Sequence, residues 1–198
     1  MGSQAKSLEV IFDNASDWLI VEGSQCTNCE GTTYDISTST AANQVSNNFS
    51  ERSYGVATMS GTEWTDQVCV TDSACINDFE FFLVAQQTGL RDPIDGVLGL
   101  ARNLPYYLAP QNGVTRGPSY MMAMQNAGLI DENTFSTYMV KDGAQSFMDF
   151  GEPRVDRMRD RSEMAYINLN EDFFWSAFCQ GFAIGNTNNG WSWGNVKD

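Results

Sequence analysis

A mostly β fold, made of short strands and tight turns with a few short helices, follows from three observations on this 198-residue chain. β-branched and aromatic residues recur in short runs, the composition that a pleated, half-buried surface selects. Glycine and asparagine are frequent between those runs, where the backbone must turn. The clearest helix pattern is confined to one short segment.

The first predicted strand, Leu8 to Phe12, is an apolar approach into Asp13. It sets that carboxylate at the mouth of a core, where burial and a neighbouring charge shift a pKa. The turn Asp13-Asn14-Ala15-Ser16-Asp17-Trp18 follows, and Leu19 to Glu22 is the next strand. Phe49 to Ala57 and Thr58 to Val70 come after it. Ile76 to Gln86 contains Phe79 to Val84, whose nearly continuous apolar character is that of a strand buried on both faces. Gly96 to Leu98, Thr134 to Val140, Ser146 to Phe150 and Met164 to Asn168 complete the set. The helix is Ser119 to Ala127, capped by Ser119 and stopped at Gly128, with methionines that read as core and not as a cofactor box. Gly151 to Ser162 is dense in charge, as a solvated connection is.

Composition narrows the chemistry. The chain carries 25 acidic and 11 basic residues and no histidine, for a formal net charge of −14. Nucleic acid and anionic membrane surfaces are poor partners for such a molecule. The lack of histidine removes Ser-His and Cys-His catalysis and the commonest zinc ligand, leaving carboxylates as the acid-base groups. No run reaches the roughly 18 to 20 apolar residues of a membrane span, so none is expected. No secretory signal opens the chain. Met1-Gly2-Ser3 reads as an artificial start, on which a targeting segment and any pro-segment would precede this sequence.

Three segments fall in a fixed order: Asp13-Asn14-Ala15-Ser16, then Ser53-Tyr54-Gly55, then Ile94-Asp95-Gly96-Val97-Leu98-Gly99-Leu100. In that order and spacing the chain resembles the amino-terminal lobe of a pepsin-like aspartic protease, with its Asp-Thr-Gly-Ser turn, its Tyr-Gly flap and its Asp-Gly-Ile-Leu-Gly-Leu segment. The helix, followed by Gly128-Leu129-Ile130 and Phe135 to Met139, is similar to the family's helix-then-strand segment. The resemblance implies orthogonally packed sheets. It implies residues 1–162 as the amino-terminal lobe and 163–198 as a central-sheet strand and the incomplete start of a second lobe. Phe173 to Asn186 resembles the strand that opens that second lobe.

The resemblance also implies roles. Asp13 is the catalytic carboxylate, and Ser16, Asn14 and Ala15 form the supporting turn, with Ser16 placed to hydrogen-bond Asp13. Asn14 and Ala15 depart from the family's threonine and glycine, and with them goes the threonine hydroxyl that ties the two catalytic turns together. Asp17 is an added acid that opposes ionisation of Asp13 if it lies close. Tyr54 and Gly55 are the flap over the substrate. Ile20 stands where many members carry a tryptophan that bonds the flap tyrosine, with Trp18 nearby to compensate. Gly96 and Gly99 are structural, for close backbone packing, and Asp95 is not catalytic. Cys26 and Cys29 match a small disulfide loop after the catalytic turn, and Cys69 with Cys75 closes a second short loop in a hairpin; a zinc or redox Cys-x-x-Cys is the competing reading. Cys179 is left over. Asn14-Ala15-Ser16 and Asn48-Phe49-Ser50 are N-glycosylation acceptor patterns, of which Asn48, in a polar loop, is the better candidate.

Aspartic proteolysis needs two carboxylates sharing one proton, and Asp13 is the single residue here that matches the motif. The expected function is a pepsin-like aspartic endopeptidase in the complete protein, with this chain alone inactive. The alternative is a pseudo-enzyme that keeps the fold to bind a peptide or protein. A third arrangement is a self-associating half that juxtaposes two copies of Asp13. The expected partners are a peptide or protein substrate and a second lobe or partner chain, which Phe173, Phe174, Trp175 and Cys179 would face. No cofactor and no metal are expected. The expected location is secreted or in an acidic vacuolar or lysosomal compartment.

Overall fold

The computed structural model describes residues 1–55, 57–89, 93–102, 117–141, 145–158, 160, 162, 164–170, 174–179, 181–184 and 191–194. Its centre is a six-stranded sheet in the order β1-β6-β2-β5-β4-β3. The strands are β1 (Val10–Asp13), β2 (Leu19–Thr27), β3 (Asn43–Tyr54), β4 (Ala57–Thr71), β5 (Ala74–Thr88) and β6 (Gly96–Gly99). β6 runs parallel to β1 and antiparallel to β2, and β2 runs parallel to β5. β3, β4 and β5 form an antiparallel meander. A helix α1 (Tyr120–Asn126), a hairpin of β7 (Phe135–Tyr138) with β8 (Phe147–Phe150), and a hairpin of β9 (Gly181–Ile184) with β10 (Trp191–Gly194) complete the architecture. No helix among the described residues is long and apolar enough to cross a membrane.

β4 shows most directly why these residues form strands. From Ala57 to Glu63 every second residue is buried, the period of a strand with one face on the core. The alternation slips by one residue at Trp64 and Thr65, both partly buried, and resumes with Asp66 and Val68 buried. The core divides in two. One cluster gathers Leu19, Val21, Tyr34, Phe79, Phe81, Leu98, Tyr120 and Met124, and the other gathers Trp18, Ile20, Met59, Phe82, Val84 and Val97. Successive residues of β2 and β5 serve different clusters, as side chains alternating across a pleat must. Phe79 to Val84 is therefore buried on both faces, apart from partly buried Glu80 and Leu83.

The helix is held as its sequence predicts. Ser119 accepts a hydrogen bond from the Met122 amide at 3.3 Å, and Gly128 turns the chain at φ +70°. Tyr120, Met121 and Met124 are buried. The Tyr120 phenol is pushed up to about 12 by that burial.

Two segments differ from the sequence reading. β3 begins at Asn43, not at Phe49, and takes in Asn48. Its polar residues look like a loop because β3 is an edge strand whose side chains are mostly exposed, and backbone pairing to β4 alone makes it a strand. Met164 to Asn168 is not a strand: among the described residues no neighbouring backbone pairs with it, and Tyr166 and Ile167 are exposed. In the charged connection Arg154 pairs with Asp149 at 2.7 Å, while Arg159 and Arg161 lie outside the described residues.

Both predicted disulfides, Cys26–Cys29 and Cys69–Cys75, are formed. Cys179 is free and exposed.

Candidate active site

The site is built where β1 ends. Asp13 lies opposite Gly99 in the parallel β1–β6 pairing. Three amides from the end of β6 then fix the turn, bond by bond. Gly99 donates to the Trp18 carbonyl at 2.9 Å, Leu100 to the Asp13 carbonyl at 2.7 Å and Ala101 to the Ser16 carbonyl at 2.8 Å. Gly99 permits this approach because a Cβ there would sit 2.5 Å from the Asp17 carbonyl carbon, 2.6 Å from the Ser16 oxygen and 2.7 Å from the Trp18 nitrogen. Gly96 is packed equally closely on the Ile20 carbonyl.

Within the turn, Asp13 Oδ1 accepts the Ala15 amide at 2.9 Å, an Asx turn that orients the carboxylate. Asn14 and Ala15 are exposed and Asp13 is partly buried. Ser16 does not make the expected bond to Asp13. Among the described residues its buried hydroxyl makes no hydrogen bond of good geometry, and it stands near the Tyr54 phenol instead. The Ala15 amide, two residues along the Asx turn, is the group that reaches Asp13 Oδ1. The Asp17 carboxylate accepts the Gly117 amide at 3.0 Å. Neither Gly117 nor its contact was legible in the sequence, since it lies 100 residues away in a segment with no motif.

Tyr54 closes β3 and pairs with Ala57 across the hairpin. Gly55 follows in the left-handed region at φ +55°, which favours glycine. The Tyr54 phenol titrates well above its ordinary value. Burial is the main cause, and the negative charges of Asp17 and Asp13 add to it, against the lowering effect of the Ser16 hydroxyl and Arg52. Tyr54 packs on the cluster that holds Trp18, at the end of the Asp13 turn, near enough for the charges of Asp17 and Asp13 to act on the phenol. Ile20 and Trp18 both lie in the core cluster on which Tyr54 packs.

Asp95 is taken up in structure. Its carboxylate accepts the Glu9 amide at 2.6 Å and the Thr32 amide at 2.5 Å, and its carbonyl accepts from Glu22 at 3.0 Å. Beside it the buried Glu22 carboxylate accepts the Gly31 amide at 3.0 Å. Desolvation holds Glu22 above its ordinary 4.5, the Gly31 amide opposes this, and the charges of Asp95 and Glu30 add to it. Asn48 is exposed, in the irregular stretch of β3 between Ser46 and Ser50. The apolar tail is partly spent on this lobe: Trp175 donates to the Leu100 carbonyl at 2.8 Å and packs edge-on against Phe135, whereas Phe178 is exposed. Phe173 lies outside the described residues.

Sequence comparison shows the family. A family profile described as eukaryotic aspartyl protease matches residues 1–195. Vacuolar protease A of Neurospora crassa is 29% identical over 181 residues, covering 88% of this chain and 43% of its own. Gastricsin of Cavia porcellus is 26% identical over 203 residues, covering 96% of this chain and 48% of its own. The chain thus spans a little under half the length of these relatives.

Proposed function

The chain belongs to the eukaryotic aspartyl protease family, and from that premise we propose that it supplies one carboxylate, Asp13, to a peptide-bond hydrolase whose second carboxylate lies outside this lobe. The supporting observation is the placement of Asp13: a partly buried acid at a strand end, fixed by backbone hydrogen bonds and next to Tyr54. Residues 1–162 act as the amino-terminal lobe and 163–198 lead into the second.

The chemistry follows from two acids held together, whose pKa values split so that one proton is shared. The ionised acid takes a proton from water as the water oxygen bonds to the peptide carbonyl carbon, and the protonated acid gives its proton to the carbonyl oxygen. The C–N bond then breaks as the first acid passes its proton to nitrogen and the second takes a proton back from a hydroxyl of the tetrahedral diol, so each carboxyl group returns to its starting state. Tyr54 covers the substrate. Peptides or proteins are the substrates, and no metal takes part. The working compartment is secreted or an acidic vacuolar or lysosomal one, a reading supported by the name of the Neurospora relative. Asn48 is the acceptor for a glycan.

The test is peptide hydrolysis by the complete protein from about pH 2 to 7, the range in which a carboxylate dyad titrates. Asp13→Asn should abolish it. Absence of cleavage at every pH rejects the peptidase reading. The exposed Asn14-Ala15 pair favours a second reading, a pseudo-enzyme that binds peptides. A silent wild type that gains activity as Asn14→Thr/Ala15→Gly identifies the altered turn as the disabling change.

A further inference from the structure

We propose that Arg52 is a positioning residue for Tyr54, clamping the β3–β4 hairpin onto Trp18 and so holding the flap over the Asp13 turn. The inference rests on the reading of Tyr54 as a flap and adds the device that holds it.

Arg52 is 4% exposed, an unusual fate for a cation on an edge strand. Its Nη2 lies 2.7 Å from Glu63 Oε1, itself buried, across the hairpin. Its Nη1 reaches the Ser50 hydroxyl at 3.0 Å and the Glu51 carbonyl at 3.2 Å. The guanidinium carbon stands 4.9 Å from the Trp18 ring and 4.6 Å from the Phe82 ring, within cation–π range of both. Trp18 and Phe82 meet edge-on at 6.3 Å. One planar cation therefore joins three elements: the hairpin through Glu63, the sheet through Phe82, and the catalytic turn through Trp18.

The link to Tyr54 is geometric. Arg52 and Tyr54 are two residues apart on β3, so their side chains leave the same face. Tyr54 packs on the cluster that contains Trp18, whose carbonyl accepts from Gly99 in the network that fixes Asp13. The clamp thus references the flap to the same backbone that sets the carboxylate. Lysine cannot replace it, because an ammonium is a point charge with no plane to lie between two rings while forking to Glu63.

Breaking one half of a buried ion pair leaves the other charge stranded and can unfold the protein, whereas an apolar replacement of both is often neutral or stabilising. The decisive variant is therefore Arg52→Met/Glu63→Met, with Arg52→Lys beside it. Thermal unfolding and amide hydrogen exchange of Tyr54, Gly55 and Ala57 are measured on the 198-residue chain. The expected result is a melting temperature for the double variant at or above wild type, with hairpin-tip exchange at least tenfold faster; Arg52→Lys should show faster tip exchange as well. Wild-type tip exchange in a folded double variant overturns the proposal. So does a double variant that fails to fold, since packing and not the clamp would then be the pair's role. In the complete protein the double variant should raise KM more than it lowers kcat. A wild type without peptidase activity refutes the protease reading and leaves the exchange result to decide the clamp.

Discussion

Replacing Gly99 with alanine is the sharpest test of how the site is held. The added methyl would begin 2.5 Å from the Asp17 carbonyl carbon, against an ordinary contact of 3.4 Å, so the backbones of β6 and the turn must separate by roughly 0.9 Å. None of the three nearest atoms is a side chain that can swing away; all belong to the Ser16–Trp18 backbone. Separation on that scale strains the bonds from Gly99 to Trp18, Leu100 to Asp13 and Ala101 to Ser16. Overpacking in a core costs about 1 to 3 kcal/mol where side chains can adjust. With backbone on both sides the upper value, about 3 kcal/mol, is the expected loss. In a protein of this size that is a fall in Tm of roughly 6 to 12 °C. Urea unfolding followed by tryptophan fluorescence reads the change, and peptidase activity of the complete protein should fall with it as Asp13 moves. A variant within about 1 kcal/mol of wild type would refute the claim that β6 and the turn are locked by their backbones.

Glu22→Gln addresses acid adaptation. Because the folded carboxyl titrates above its ordinary 4.5, the stability it contributes is complete below that value and is lost as pH rises through the raised one. Gln keeps the acceptor for the Gly31 amide without the charge, so the Tm advantage of Glu22→Gln over wild type should grow from pH 4.5 toward neutrality; parallel Tm–pH curves would remove Glu22 from the account. Cys179 should react with a thiol reagent in the native, unreduced chain at one equivalent, the other four cysteines being paired. A second labelled thiol would mean that one of the two disulfides is open.

The sequence made the fold legible wherever burial imposes a period. β4 alternates, Phe79 to Val84 is continuously apolar, and the Ser119 cap with Gly128 bounds the helix. It failed where pairing alone makes the strand, as at Asn43 to Asn48, and where β-forming residues have no partner, as at Met164 to Asn168. The site divides the same way. Asp13, Tyr54 and Gly99 carry motif, and motif reads locally. The Arg52 clamp does not, because it depends on register. Arg52 stands opposite Met59, yet its ion partner is Glu63, paired with Ser46 beyond a register shift. Charges within a strand read as solvated, and no local pattern says that Arg52 on β3 and Glu63 on β4 turn inward to meet. Gly117 was hidden for a related reason, since its amide finds Asp17 by tertiary contact alone.

That division explains how the turn accommodates Asn14 and Ala15. Every bond from β6 that places Asp13 uses backbone atoms of Asp13, Ser16 and Trp18, and Asp17 is held by the Gly117 amide. Among the described residues, no hydrogen bond in that scaffold draws on the side chain of residue 14 or 15, both of which are exposed. The Ala15 amide to Asp13 is likewise a backbone donor, which glycine retains. Asn14→Thr/Ala15→Gly therefore has little to alter inside this lobe: its cost is the chain entropy of one glycine, at most about 1 kcal/mol. Any activity the pair restores in the complete protein then arises outside the hydrogen bonds of this lobe, and not from repair of Asp13's own setting. A loss well above that figure on the isolated chain would show that Asn14 or Ala15 supports the turn from within, and the carboxylate's position would no longer be a property of the backbone.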